Sequence, residues 1–166
     1  MSHPRHARDR GPAESSIPDS RFPIPALIHP TTWPAGSGYA HGISTEGRIL
    51  FVAGQIGWDP VTQKLVAGGL AAQTRQALAN IVAVLAAGAA EPAHLVRLTW
   101  FITDRAQYLR DRKAIGAAYR EVIGRHFPPM SVVVVSALLE EGAEVEIEAT
   151  AVVPSRTQPG DERRDP

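Results

Sequence analysis

The stretch from Glu144 to Ala151 alternates strictly in residue type. Val145, Ile147, Ala149 and Ala151 fall on one face of an extended strand, and Glu144, Glu146, Glu148 and Thr150 on the other. A carboxylate on such a face can hold or deprotonate a water molecule. It can also be one of several glutamates on a solvated surface, and the pattern by itself leaves both readings open. Tyr39 and His41 are two residues apart, so an extended segment presents the phenol and the imidazole on one side. Tyr39 is then a cleft wall or an edge aromatic that closes a core, and His41 a proton carrier or an ordinarily hydrogen-bonded histidine. Gly54 follows the apolar run Arg48 to Ala53, at a strand end where a backbone angle reserved for glycine is expected. Met130, after Pro128 and Pro129, can contact a ligand or fill a gap beneath the prolines.

Other chemistries find little to work with. The six histidines, at 3, 6, 29, 41, 94 and 126, show no metal-ligand spacing on a defined helix or strand apart from His3 and His6, so no metal site is expected. His126 is expected at a helix C-terminus, where an imidazolium complements the dipole. There is no cysteine, hence no disulfide, thiolate nucleophile or sulfur-ligated metal, which fits a cytoplasmic protein. Gly68-Gly69 reads as a helix-entry turn, since neither phosphate-loop glycine pattern follows a strand. Ser44, Ser131 and Ser136 lack the surroundings of a nucleophile elbow.

The elements that must position these residues can be read from periodicity. Arg48 to Ala53 reads as a short buried strand, and Trp58 to Gln63 as a turn. Leu70, Thr74, Ala77, Leu78, Ile81, Val84 and Leu85 recur at helical spacing up to Gly88. Leu95 to Thr103 returns to β-branched and aromatic residues, and Asp104 is placed to cap a second helix that ends before Pro128-Pro129. Ser131 to Leu138, nearly continuous valine in its first half, resembles a strand covered on both faces, and the alternating segment is the last strand. The order strand, strand, helix, strand, helix, strand, strand predicts a single sheet with both helices on one side. The valines then leave an apolar patch on the other side, which implies self-association.

The 166 residues suffice for one domain of ordinary size. Residues 1–35 are rich in proline and poor in large apolar side chains, so they are expected to form a flexible extension or to drape over a neighbour. Residues 36–154 are the expected domain, and 155–166 a disordered charged tail. Seventeen basic residues balance seventeen acidic ones, which favours neither nucleic acid nor an anionic membrane as partner. No apolar run is long enough for a membrane span, and the basic start lacks the apolar core of a signal peptide.

Five segments in order carry a resemblance: Gly38-Tyr39-Ala40-His41-Gly42, Phe51-Val52-Ala53-Gly54-Gln55-Ile56, Gln73 to Asn80, Phe127-Pro128-Pro129-Met130-Ser131, and Val145 to Ala149. Together they resemble the signatures of the Rid (reactive-intermediate deaminase, YjgF-like) family, over about residues 36–153. The resemblance implies a chorismate-mutase-like α/β fold, a homotrimer with ligand clefts between subunits, and hydrolysis of reactive enamines and imines to a keto acid and ammonia. It implies no metal or organic cofactor. By position, Glu146 matches the water-holding carboxylate, Tyr39 the tyrosine near the ligand, and Gly54 and Gln55 the turn at the cleft.

The match departs where the pocket should be polar. Met130 stands where the family's substrate-clamping arginine falls, Ala53 where a serine precedes the turn, Gly116 where an asparagine projects from the second helix, and Val132, after Ser131, where cysteine is frequent. A thioether offers neither charge nor donor, so it cannot imitate the bidentate grip of a guanidinium on a carboxylate. A simple 2-imino acid is therefore expected to bind badly. The remaining expectations are an enzyme acting on a bulkier or less anionic imine, enamine or carbonyl compound, as hydrolase or tautomerase, or a non-catalytic trimer that binds a metabolite.

Overall fold

A computed structural model describes residues 26–34 and 38–154. Most of the expected extension and the whole charged tail, His3 and His6 included, lie outside the described residues. The elements in chain order are β1 (Ala26–Ile28), β2 (Gly42–Ser44), β3 (Arg48–Ile56), β4 (Trp58–Asp59), β5 (Lys64–Leu65), α1 (Gly69–Ala87), a 3-10 turn (Pro92–His94), β6 (Leu95–Ile102), α2 (Arg105–Val122), β7 (Met130–Val134) and β8 (Val145–Val153). The main sheet has the order β3-β8-β6-β7, antiparallel except for the parallel pair β6–β7.

This corrects the single-sheet expectation. β1 pairs with β2 in a separate two-stranded ribbon, so Ala26–Ile28 of the expected extension is paired antiparallel, and β4 and β5 form a small hairpin. That hairpin turns as its residues predict: Asp59 Oδ1 accepts from the N–H groups of Val61 and Thr62, at 2.7 and 3.1 Å. β7 also stops at Val134 rather than Leu138. Its one partner among the described residues, β6, ends at Ile102, whose carbonyl accepts from Val135 N–H at 2.9 Å.

Both helices lie on one face. Val145, Ile147, Ala149 and Ala151 of β8, with Leu98, Trp100 and Ile102 of β6 and Val52 of β3, are buried against Leu70, Leu78, Ile81 and Leu85 of α1 and Ile115 and Tyr119 of α2. Tyr119 stacks between Trp100 and Phe127, with ring centroids 6.3 and 5.3 Å away. α1 enters through Gly68 and Gly69, both at positive φ, and α2 through Asp104, whose carboxylate accepts from Gln107 N–H at 3.0 Å. Among the described residues no helix is long and apolar enough to cross a membrane.

On the opposite face Ile49 and Phe51 of β3 are exposed at one side. Val133 of β7 is exposed at the other, so β7 is not covered on both faces within one chain. Between them runs a polar stripe of Glu148, Thr150, Arg97 and Thr99.

Candidate functional site

Glu146 sits on the open face as alternation predicts, half-buried while its neighbours Val145 and Ile147 are fully buried. It pairs with Ile56, just past an irregularity in β3 that falls between Val52 and Gln55. Gly54 lies within that bulge, and a Cβ built there would overlap the Glu146 carboxylate. The carboxylate therefore rests directly on the bare backbone of residue 54. Gly54 does not have a positive φ, so close approach explains this glycine, contrary to the expectation of an unusual backbone angle. Gln55 turns its amide back onto the carbonyls of Ala53 and Gly54, at 3.2 and 3.3 Å, and Ala53 is exposed.

Two amides of α1 hold this arrangement from behind, and residue patterning had not singled them out. Asn80 Nδ2 donates to the carbonyls of Ile56 and Trp58, at 3.2 and 2.9 Å, and Gln76 donates to Asn80 Oδ1 at 2.9 Å. Gln73 Nε2 donates to Gly142 O at 2.9 Å, while Gln73 Oε1 accepts from Glu144 N–H at 2.8 Å. Polar Gln73 and Asn80 on the helix face that also carries Leu70, Ala77 and Ile81 were the available signal. Gln107 Nε2 donates to Glu144 Oε2 at 2.8 Å, so Glu144 is engaged, whereas Glu146 has no side-chain partner among the described residues. Glu146 and Gly54 line a cavity of about 650 Å³ with Ile56, Trp58, Lys64 and Leu65.

The other expected residues gather elsewhere. Tyr39, Ser131 and Met130 line a second cavity with His41 and Arg97. Tyr39 and His41 do lie together, ring edge to face with centroids 5.4 Å apart, and His41 Nε2 is 3.2 Å from Pro34 O. Met130 and Gly116 line a third cavity, between α2 and β7, with Tyr108, Arg112, Arg120 and the aromatic stack. Burial pushes the Tyr119 phenol above its ordinary range, and its hydroxyl donates to His126 O at 2.7 Å. His126 is correspondingly not a helix-terminal residue: α2 ends at Val122, and the His126 ring is bound to Leu95 O at 2.6 Å. Within one chain Gly54 and Glu146 thus line a different cavity from Tyr39 and Ser131 and from Gly116, while Met130 borders both of the latter two. Among the described residues no group of three or more histidines and carboxylates could hold a metal ion.

A mixed sheet with two helices on one face is the fold this chain shares with solved YjgF and RidA structures. The model of the family described as endoribonuclease L-PSP matches residues 31–153. The chain belongs to that family, which includes the Rid proteins. It is similar to protein DfrA of Myxococcus xanthus, 36% identical over 130 residues that span 75% of this chain and 93% of that one. It is also similar to the 2-iminobutanoate/2-iminopropanoate deaminase of Capra hircus, 33% identical over 127 residues, 76% and 88% of the two chains. Among solved structures, the Rid-family protein YyfB of Yersinia pestis, of unknown function, matches with a TM-score of 0.68 and 34% identity over 77% of this chain and 98% of its own. The YjgF product of Escherichia coli matches with a TM-score of 0.56 and 33% identity over 72% and 91%.

Proposed function

We propose that the protein is a cytoplasmic enzyme that processes reactive imines, enamines or related carbonyl compounds, in clefts assembled between the subunits of a homotrimer. The observation that carries this reading is the Glu146 carboxylate, held over Gly54 on the open sheet face with no side-chain partner among the described residues. Its separation from Tyr39, Gly116, Met130 and Ser131 supports a site completed by a second copy, which would bring one chain's carboxylate half to another's binding half. Relatives named as 2-iminobutanoate/2-iminopropanoate deaminases support the reaction class.

In the hydrolytic reading Glu146 takes a proton from water as the water oxygen bonds to the imine carbon. That proton passes to the nitrogen to give a carbinolamine; the carbinolamine hydroxyl then gives its own proton to the nitrogen, by way of Glu146, as the C–N bond breaks, so that ammonia leaves and a carbonyl remains, the net change being addition of one water. Backbone N–H groups near Gly54 and Gln55 would steady developing negative charge, and the Tyr39 phenol would orient the substrate. In the tautomerase variant Glu146 carries the proton between carbon and nitrogen. No metal or organic cofactor is needed for either.

Met130 and Ala53 in place of polar groups favour a substrate other than a small 2-imino acid. The same loss of a donor favours, as the second reading, a metabolite-binding trimer without catalysis. Ammonia release from freshly generated small and bulky 2-imino acids, compared with Glu146→Gln and Met130→Arg, decides between them. Activity abolished by Glu146→Gln establishes deamination. Silence in the unmodified chain, with activity gained by Met130→Arg, means an intact scaffold turned to another ligand.

A further inference from the structure

The cavity between α2 and β7, about 640 Å³, is lined by cations and hydrogen-bond donors and, among the described residues, by no carboxylate. Arg112, Gly116 and Arg120 follow one another at four-residue spacing and so share one face of α2. Neither arginine has an acidic partner among the described residues, although Arg75 and Arg110 do. A methyl group added at Gly116 would lie 3.4 Å from Arg120 Nη1, so the guanidinium lies across the bare helix surface from which a side chain at 116 would project. Tyr108 lines the wall one turn before Arg112, close enough for that guanidinium to pull its phenol down against the upward push of burial.

A buried donor stands behind the same wall. Trp100 lines this cavity with only 4% of its surface exposed, and its indole N–H has no partner among the described residues. A buried donor without an acceptor is unusual in a folded protein and calls for an explanation. The remaining walls are apolar: the Trp100, Tyr119 and Phe127 stack, Ile115 and Met130.

We infer that this cavity binds a small organic carboxylate with a large apolar body, the carboxylate held by Arg112 and Arg120 and the body packed against Met130 and the aromatic stack. The inference rests on the proposed function and adds its substrate class: a bulky apolar 2-imino acid or close relative, gripped from α2 instead of from position 130. A guanidinium at the end of a long side chain keeps the planar, bidentate match to a carboxylate, and its displacement along α2 leaves room for a larger body. Methionine at 130 then supplies adaptable apolar contact in place of charge.

Calorimetric titration of the full chain with phenylpyruvate, a stable oxo analogue of a bulky 2-imino acid, and with its neutral primary amide tests this. Arg112→Gln and Arg120→Gln should each weaken phenylpyruvate binding about tenfold or more, as expected for a charge-assisted hydrogen-bond pair. The amide should bind the unmodified chain more weakly and be indifferent to either substitution. Both arginines are exposed, and an unchanged thermal transition shows that the variants fold. Undiminished phenylpyruvate binding in the double variant, or an amide that binds as tightly as the acid, overturns the inference. Ammonia release separates the two readings. If arginine-dependent phenylpyruvate binding occurs without deamination of any imine, the reaction fails and the anion site stands. If Glu146→Gln abolishes deamination while phenylpyruvate ignores the arginines, the anion site alone fails.

Discussion

An alanine at position 54 would place its methyl group inside the space the Glu146 carboxylate now fills. Since the obstacle includes Cδ and Cγ as well as an oxygen, the whole end of the glutamate must swing away. Displacement of a catalytic group by about 1 Å costs on the order of 10²-fold in rate. Gly54→Ala should therefore fold, because residue 54 has no positive φ to lose, yet release ammonia about 10²-fold more slowly from whatever imine the unmodified chain accepts. Steady-state kinetics would show the loss in kcat. A Gly54→Ala enzyme with full kcat would remove Glu146 from the reaction. Glu146→Gln, by contrast, keeps the shape and removes the base, and its loss should match or exceed that of Gly54→Ala. The contrast between the two variants separates the position of the carboxylate from its charge.

At the scale of elements, α1 does more than cover the sheet. Asn80 satisfies the carbonyls of Ile56 and Trp58, where β3 gives way to the β4–β5 hairpin, and Gln73 ties down Gly142 and Glu144 at the start of β8. Asn80→Leu would leave those carbonyls without Asn80's donor in a buried place, which costs about 1–3 kcal/mol, and should lower the denaturation midpoint accordingly. Loosening the end of β3 should also reduce turnover more than an equal destabilisation introduced elsewhere. Asp104→Ala provides that control: it removes the N-cap of α2, costs about 1 kcal/mol, and lies at an exposed helix start. Equal activity losses in the two variants would mean that Asn80 acts through global stability alone.

These elements also show what residue patterning can and cannot reach. The helical spacing from Leu70 to Leu85 and the alternation from Val145 to Ala151 each record burial of one face, so α1, β8 and the outward direction of Glu146 were legible. The pairing of Ala26–Ile28 with Gly42–Ser44 was not, because three-residue strands carry no period and their partner is fixed by tertiary contact. The end of β7 depends on where β6 stops, not on its own valines. Gly54 was legible as a required glycine, but its reason lies across the ladder in Glu146. Arg112, Gly116 and Arg120 show their common helix face in the sequence, whereas their meeting with Met130 and Trp100 needs α2 packed beside β7.

The open face of the sheet is where the proposed assembly would be made. It is not uniformly apolar: Ile49 and Phe51, 55% and 76% exposed, lie at the β3 side and Val133 at the β7 side, with Arg97, Thr99, Glu148 and Thr150 between them. Apolar margins around a polar stripe suit a closed ring better than a flat two-fold contact. In a ring the β3 margin of one copy can meet the β7 margin of the next, while the polar stripes face a common wet centre. Burial of a phenylalanine side chain contributes about 1.5–3 kcal/mol, so Phe51 is the strongest single contributor available to such a contact. Phe51→Glu places a charge at that margin in every copy. Light scattering should show a trimer for the unmodified chain and a monomer for Phe51→Glu, with the secondary structure retained because residue 51 projects away from the core. Loss of ammonia release together with loss of the trimer would follow if Gly54 and Glu146 of one copy meet Tyr39 and Met130 of another. A fully active monomer would mean that each chain closes its own site and that the separate cavities work independently.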